Sequence, residues 1–208
     1  MKFILIAVLA IVAVTSSNAK LQCDVSTAYV PTEWLDMTGG CIGEMRRQIQ
    51  AEINASMKYL AMGAYFAQDT INRPGFSEFF FKSASEEREH ATKLIEYLLM
   101  RTQLSSVGDL IKVNAPETTS WKQGLDALED ALKTEAAVTK SIKQVIQKCE
   151  DDDKNNDYHL VDYLTGEFLE EQYRGQRDLA GKISTLKKMM KSNTNGQLGE
   201  FLFDKQLN

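Results

Sequence analysis

The sequence predicts an all-α protein: a four-helix bundle with one long crossover and a short fifth helix at its C-terminal end. Three observations carry this fold class. Apolar residues recur every three to four positions through four long segments, the pattern of amphipathic helices. Alternating runs of the kind strands need are nearly absent, and there are only three prolines in 208 residues. Of the breaks between the four segments, two are short and one runs to about 19 residues, longer than an ordinary helix connection.

Residues 1–19 begin with Lys2, continue through an unbroken apolar run from Phe3 to Val14, and end on the small residues Ser17-Asn18-Ala19. That pattern reads as a secretory signal peptide, and the apolar run is too short to cross a bilayer as a helix. Residues 20–37 have no sustained period, and Pro31 and Trp34 suit an extended arm. The folded domain spans 38–208. Its first helix runs from about Thr38 to Asp69, with Ile42, Met45, Ile49, Ile53, Tyr59 and Leu60 on one stripe. Asn72-Arg73-Pro74-Gly75 breaks the chain, and Pro74 suits the first turn of a second helix reaching Arg101. Thr102–Ser120, with Gly108 and Pro116, is the long connection. Helix three covers about Lys122 to Glu150, a short acidic turn comes next, and helix four covers Tyr158 to Lys191. After the break Ser192–Gly196, Leu198–Leu207 forms the fifth helix. It has too little apolar area to stand alone.

Two short turns make helices one and two antiparallel, and three and four antiparallel; the long connection leaves two and three parallel. The start of helix one and the end of helix three then share one end of the bundle. There are three cysteines, and a secreted chain keeps its disulfides. The topology pairs Cys41 with Cys149 within the chain and leaves Cys23 on the arm for a partner chain; a free, buried Cys149 is the alternative. The formal charge of −5, or −6 once Lys2 is removed, argues against nucleic acid and suits metal cations. No segment after the signal peptide is apolar enough to enter a membrane.

Ser85-Glu86-Glu87-Arg88-Glu89-His90-Ala91 carries one of only two histidines at Glu-x-x-His spacing. Glu87 and His90 fall one helical turn apart on one face, within reach of one metal ion. Spacing alone leaves Glu86 open, because it is four residues from His90 on a nearby face. The other helices each offer an inward candidate: Glu52 between Ile49 and Ile53, with Tyr59 two turns on; Glu135 among small residues; and Glu171-Gln172 between Leu169 and Tyr173.

Ala51-Glu52-Ile53-Asn54-Ala55-Ser56-Met57-Lys58-Tyr59-Leu60, Glu86-Glu87-Arg88-Glu89-His90-Ala91 and Glu200-Phe201-Leu202-Phe203-Asp204-Lys205 resemble ferritin, over about residues 38–208. With the signal peptide and cysteines, the resemblance is to the secreted heavy-chain-type ferritins of insects. It implies a ferritin-like four-helix bundle in which Glu52, Glu87 and His90 bind a first iron and Glu87 bridges to a second bound by Glu135. Gln172 would orient water or dioxygen, and Tyr59 would lie beside the site. It further implies a ferroxidase that oxidises Fe(II) with dioxygen and stores ferric oxyhydroxide in a 24-subunit shell, formed alone or with light-chain-type subunits. The setting would be the secretory pathway (endoplasmic reticulum and Golgi) or the extracellular space. Asp162 matches one acid of the family's three-fold pore, whereas Thr165 stands where a second is expected. Few acids occupy the light-chain mineral-nucleating positions, where Lys82, Ser85 and Thr92 lie, so a light-type partner would complement this chain. His159 reads as a surface or interface residue, and the glycosylation sequon Asn54-Ala55-Ser56 as hidden by the fold.

Two other functions fit parts of the sequence. A catalytically silent subunit would share the fold, but ligand-type residues on all four helices argue against it. A secreted helical-bundle signalling protein would share the signal peptide and disulfide but would not need Glu52, Glu87 and Glu135 turned inward.

Overall fold

The first long helix, α1 (Gly39–Ala67), begins where the Thr38 hydroxyl accepts the Cys41 amide at 3.3 Å, an N-cap that satisfies one otherwise free donor. The structure is a computed structural model and describes residues 29–102, 110–150, 156–192 and 196–207. The signal-peptide segment, the first half of the arm and Cys23 lie outside the described residues. Asn72, with φ 49°, turns the chain into α2 (Pro74–Arg101), whose first-turn proline has no amide to leave unpaired. The crossover runs beside α1, where the Gln50 side chain both accepts from the Lys112 amide (2.7 Å) and donates to its carbonyl (2.8 Å). α3 is Gly124–Glu150. Helix four, α4, starts at Tyr158 on the Asp157 cap and ends at Ser192, and α5 is Gly196–Leu207. Among the described residues every regular element is helical, and no helix is long and apolar enough to cross a membrane.

Helix four is not the uniform α-helix that its periodicity suggests. Tyr158–Tyr163 and Glu170–Ser192 are α-helical, but Leu164–Leu169 between them is π-helical. The wider turn inserts about one residue and rotates the C-terminal part of the helix relative to its first turns.

The disulfide joins Cys41 at the start of α1 to Cys149 at the end of α3. These two helices are therefore antiparallel, and α2 and α3 run the same way. Two apolar clusters fill the bundle. One, at the disulfide end, includes Met45, Ile49, Leu94, Leu98, Ile142 and Leu160. The other includes Phe66, Phe76, Phe80, Leu128, Leu186 and Phe203. Leu60, placed on the inward stripe by periodicity, is instead 45% exposed.

The fifth helix does not rely on its small apolar area alone. It packs on its own subunit, against α2 and helix four. Asp204, wholly buried, accepts the Phe76 amide in the first turn of α2 at 3.0 Å. Glu200 accepts the Gly124 amide that opens α3 at 2.8 Å and pairs with Arg73 at 3.0 Å. Each carboxylate thus satisfies a free donor at the positive end of a helix. Gly75 is required here, since a Cβ at that position would lie 1.9 Å from the Asp204 carbonyl oxygen. Polar anchoring within the subunit offsets what the helix lacks in apolar surface.

Two changes should weaken the two ends of the bundle. Asp204→Ala should leave the buried Phe76 amide unpaired and cost about 1–3 kcal/mol. Breaking the bridge as Cys41→Ser/Cys149→Ser, at a sequence separation of 108, should cost about 3–5 kcal/mol. Denaturant unfolding of each variant beside the parent measures both, and an unchanged Asp204→Ala midpoint would show that α5 is held by other contacts.

Candidate metal centre

Glu52 from α1 and Glu87 and His90 from α2 meet between the two apolar clusters. One ligand atom from each lies within 4.8 Å of the others, and all three side chains are buried. Burial separates the two glutamates that spacing could not, because Glu87 is inside and Glu86 is exposed. The Gln48 amide, one turn before Glu52, donates to the Glu52 carboxylate at 2.6 Å and fixes its orientation.

The remaining candidates line an adjoining cavity of about 120 Å³, bounded by Tyr59, Glu87, His90, Glu135, Glu171 and Gln172 among others. Glu135 on α3 stands outside the tight group of three. The Tyr59 hydroxyl donates to it. The Gln172 carbonyl accepts from the Thr139 hydroxyl at 2.8 Å, and Thr139 in turn accepts from Gln176 at 2.6 Å. Glu171, more than half exposed, lies 3.3 Å from His90 Nε2. The sequence reading did not include Gln48 or Thr139. Gln48 could have been found as the residue four before Glu52, but Thr139 joins the site only through tertiary packing.

The electrostatics are those of acids held away from water. Burial raises the Glu52 carboxyl well above the ordinary range, and the neighbouring Glu87 raises it further. Burial likewise pushes Glu87 up to about 8, against the opposing hydrogen bond from Glu52. The Tyr59 phenol is also raised, by burial first and then by Glu135. Glu52 Oε2, Glu87 Oε2 and His90 Nδ1 are buried without hydrogen-bond partners, the last 3.5 Å from Glu87 Oε2. Buried polar atoms are seldom left so. Two carboxylate oxygens and an imidazole nitrogen without partners are the donor set of a first-row transition-metal ion, and one cation would satisfy all three.

Known proteins share this fold and sequence. The model of the ferritin family, described as a ferritin-like domain, matches residues 42–189. The chain belongs to the ferritin family. It is 61% identical to a ferritin heavy chain of Papilio xuthus, with 100% of this chain and 98% of that one aligned. It is 57% identical to a ferritin heavy chain of Drosophila melanogaster, over 98% of both chains. Among solved structures, a secreted ferritin of Trichoplusia ni matches with a TM-score of 0.85 and 60% identity, covering 89% of this chain and 97% of that one.

Other candidate residues lie away from this cluster. Cys41 and Cys149 are bonded to each other, and Asp162 is exposed on the first turns of α4. His159 is at the surface but not idle, since Nδ1 lies 2.7 Å from the Tyr97 hydroxyl. The sequon is only half hidden: Asn54 is exposed, while the Ser56 hydroxyl is buried and donates to the Ala84 carbonyl at 2.5 Å.

The raised carboxyls give the centre a defined proton dependence. The folded chain keeps a proton on Glu87 that the unfolded chain, at the ordinary value of 4.5, has lost. Without metal, the Glu87 contribution to stability is therefore full below about pH 4.5 and is lost as pH rises to about 8. A divalent ion must displace that proton. Calorimetric Zn(II) titration in buffers of different ionisation enthalpy should show protons released on binding near pH 6.5, and fewer above pH 8 as Glu87 loses its own. Release independent of pH would contradict the raised carboxyls.

Proposed function

We propose that this chain is an iron-storing ferritin subunit of the heavy type, which oxidises Fe(II) with dioxygen at Glu52, Glu87, His90 and Glu135. The observation that carries the reading is the convergence of buried, unpartnered atoms from Glu52, Glu87 and His90. The names of its heavy-chain relatives support it.

Carboxylates are hard anionic donors and favour Fe(III) over Fe(II), so binding itself promotes oxidation. With two ions present, each gives dioxygen one electron, and 2 Fe(II) + O2 + 2 H+ yields 2 Fe(III) + H2O2. Glu87 would bridge the two ions, Glu135 would hold the second, and Gln172 would orient water or dioxygen. Tyr59 positions Glu135 through its hydrogen bond. Helix four brings Glu171 and Gln172 where a second Glu-x-x-His unit would bring a histidine, so the donor set is unequal. Such a centre holds ferric iron weakly enough to pass it on to the mineral.

The wider reading has the chain entering the secretory pathway on residues 1–19, with 20–37 as an arm and 38–208 as the ferritin-like domain. It assembles into a 24-subunit shell, alone or with light-chain-type subunits, and Cys23 bridges to a partner chain. A ring of three Asp162 carboxylates would draw cations to a pore, with Thr165 lowering its negative charge.

The decisive experiment uses the assembled chain and follows Fe(II) oxidation optically. Glu52→Ala and His90→Ala should each slow the initial rate at least about tenfold while leaving the assembly size unchanged. Parental rates in both variants would sink the site assignment.

A further inference from the structure

We propose that Tyr97 is a redox-active tyrosine that supplies an electron to the metal centre through Tyr163 and Phe168 while its proton passes to His159. The proposal rests on the ferroxidase reading above.

A continuous file of rings connects the centre to the surface. The His90 ring lies 5.6 Å from Phe168, and Phe168 lies 5.5 Å from Tyr163. Tyr163 stacks on Tyr97 at 4.7 Å with 15° between planes, and Tyr97 stacks on His159 at 5.6 Å. Electron tunnelling weakens exponentially with distance, so ring-to-ring contacts of this kind form a favourable path. Phe168 is too hard to oxidise and serves only as a bridge. The π-helical turn makes the file possible. Tyr163 and Phe168 are five residues apart, a spacing that points in different directions on an α-helix but brings the two rings edge to face where hydrogen bonds run from i to i+5.

Tyr97 is also equipped to lose a proton with its electron. Its hydroxyl accepts from Arg101 Nη1 at 2.7 Å, and a guanidinium can only donate. The phenol's own proton is thus left to His159 Nδ1, at 2.7 Å, a distance suited to proton transfer. Arg101 is held in place by Asp36 and Asp157, at 2.7 and 3.1 Å. Tyr97 is 5% exposed, which shields a radical, while the exposed His159 can release the proton to solvent. Burial pushes the phenol up to about 12, so it is neutral before oxidation and needs this acceptor.

The chemistry it would serve arises from the peroxide formed in ferroxidation. A centre holding a single Fe(II) can give peroxide only one electron, which liberates a hydroxyl radical. With the relay, Tyr97–OH + His159 gives Tyr97–O• + His159–H+ + e−. At the centre, Fe(II) + H2O2 + e− gives Fe(III) + 2 OH−. The O–O bond breaks heterolytically, no hydroxyl radical escapes, and a soluble one-electron reductant of the ascorbate class restores the phenol with a proton. Tyr59 is nearer the centre but is wholly internal and bonded to Glu135, with no such surface acceptor.

The test loads the assembled protein with one Fe(II) per centre, adds H2O2, and records freeze-quench electron paramagnetic resonance beside a hydroxyl-radical spin trap. A neutral tyrosyl signal should appear, survive in Tyr59→Phe, and largely vanish in Tyr97→Phe, where spin-trap adduct should rise. Tyr97→Phe should keep the parental rate of Fe(II) oxidation by dioxygen. His159→Gln, a surface change that leaves Tyr97 in place, should slow radical formation roughly tenfold or more. An undiminished signal in Tyr97→Phe, or normal iron oxidation in the parent with no tyrosyl radical, would overturn the relay. A parent that fails to oxidise Fe(II) at all would overturn the ferroxidase reading and the relay together, and the oxidation trace tells the two failures apart.

Discussion

The bundle is built around buried acids. Glu52, Glu87 and Glu135 sit with His90 between two apolar clusters, where ionising Glu52 or Glu87 carries a desolvation cost. Only protons or cations relieve this arrangement. A core of leucines at the same positions would be more stable and would bind nothing. Stability must therefore come from elsewhere in the fold.

It comes from the two ends. At one, the Cys41–Cys149 bridge ties α1 to α3, and beside it Arg101 joins the arm residue Asp36 to the Asp157 cap of α4. At the other, Glu200 and Asp204 of α5 hold the opening amides of α3 and α2, and aromatic rings from α1, α2 and α5 pack together as Phe66, Phe76, Phe80 and Phe203. Between the ends, Lys58 of α1 reaches Asp130 of α3 at 2.6 Å, and Trp121 donates to the same carboxylate at 3.0 Å. The helices are thus clamped lengthwise, so the acidic waist cannot relax by splaying them apart.

Much of this was legible in the residues, for reasons that also mark where legibility stops. Apolar periodicity and the Asn72–Gly75 break place α1 and α2 within a residue or two, because one helix face must be buried whatever it meets. The unequal connections gave the topology and, through it, the Cys41–Cys149 pairing. Periodicity could not separate Glu86 from Glu87, which differ only in which side of the buried stripe they occupy. Nor could it see Asp204 and Glu200 as anchors, since an acid on a short helix is ordinarily solvated and its partners here are backbone amides from distant segments. The π-helical turn escaped for a related reason. Nothing in Leu164–Leu169 except Gly166 departs from helical composition, and the wider turn is chosen by what it packs against.

The two halves of the centre differ in one respect that bears on its chemistry. Glu52, Glu87 and His90 present atoms with no partner, so a first cation displaces only protons. Glu135 and Gln172 are already engaged, by Tyr59 and Thr139, so a second cation must compete with hydrogen bonds that the fold has made. On the proposed reading, the ions then bind unequally, and for part of each cycle the centre holds one Fe(II) alone. That half-filled state is the one in which peroxide would receive a single electron. It is also the state served by the ring file, which touches the centre at His90, in the half that fills first. On that reading a weak second site would let ferric iron move on, and a tyrosine relay at the first site would answer the hazard which that weakness creates.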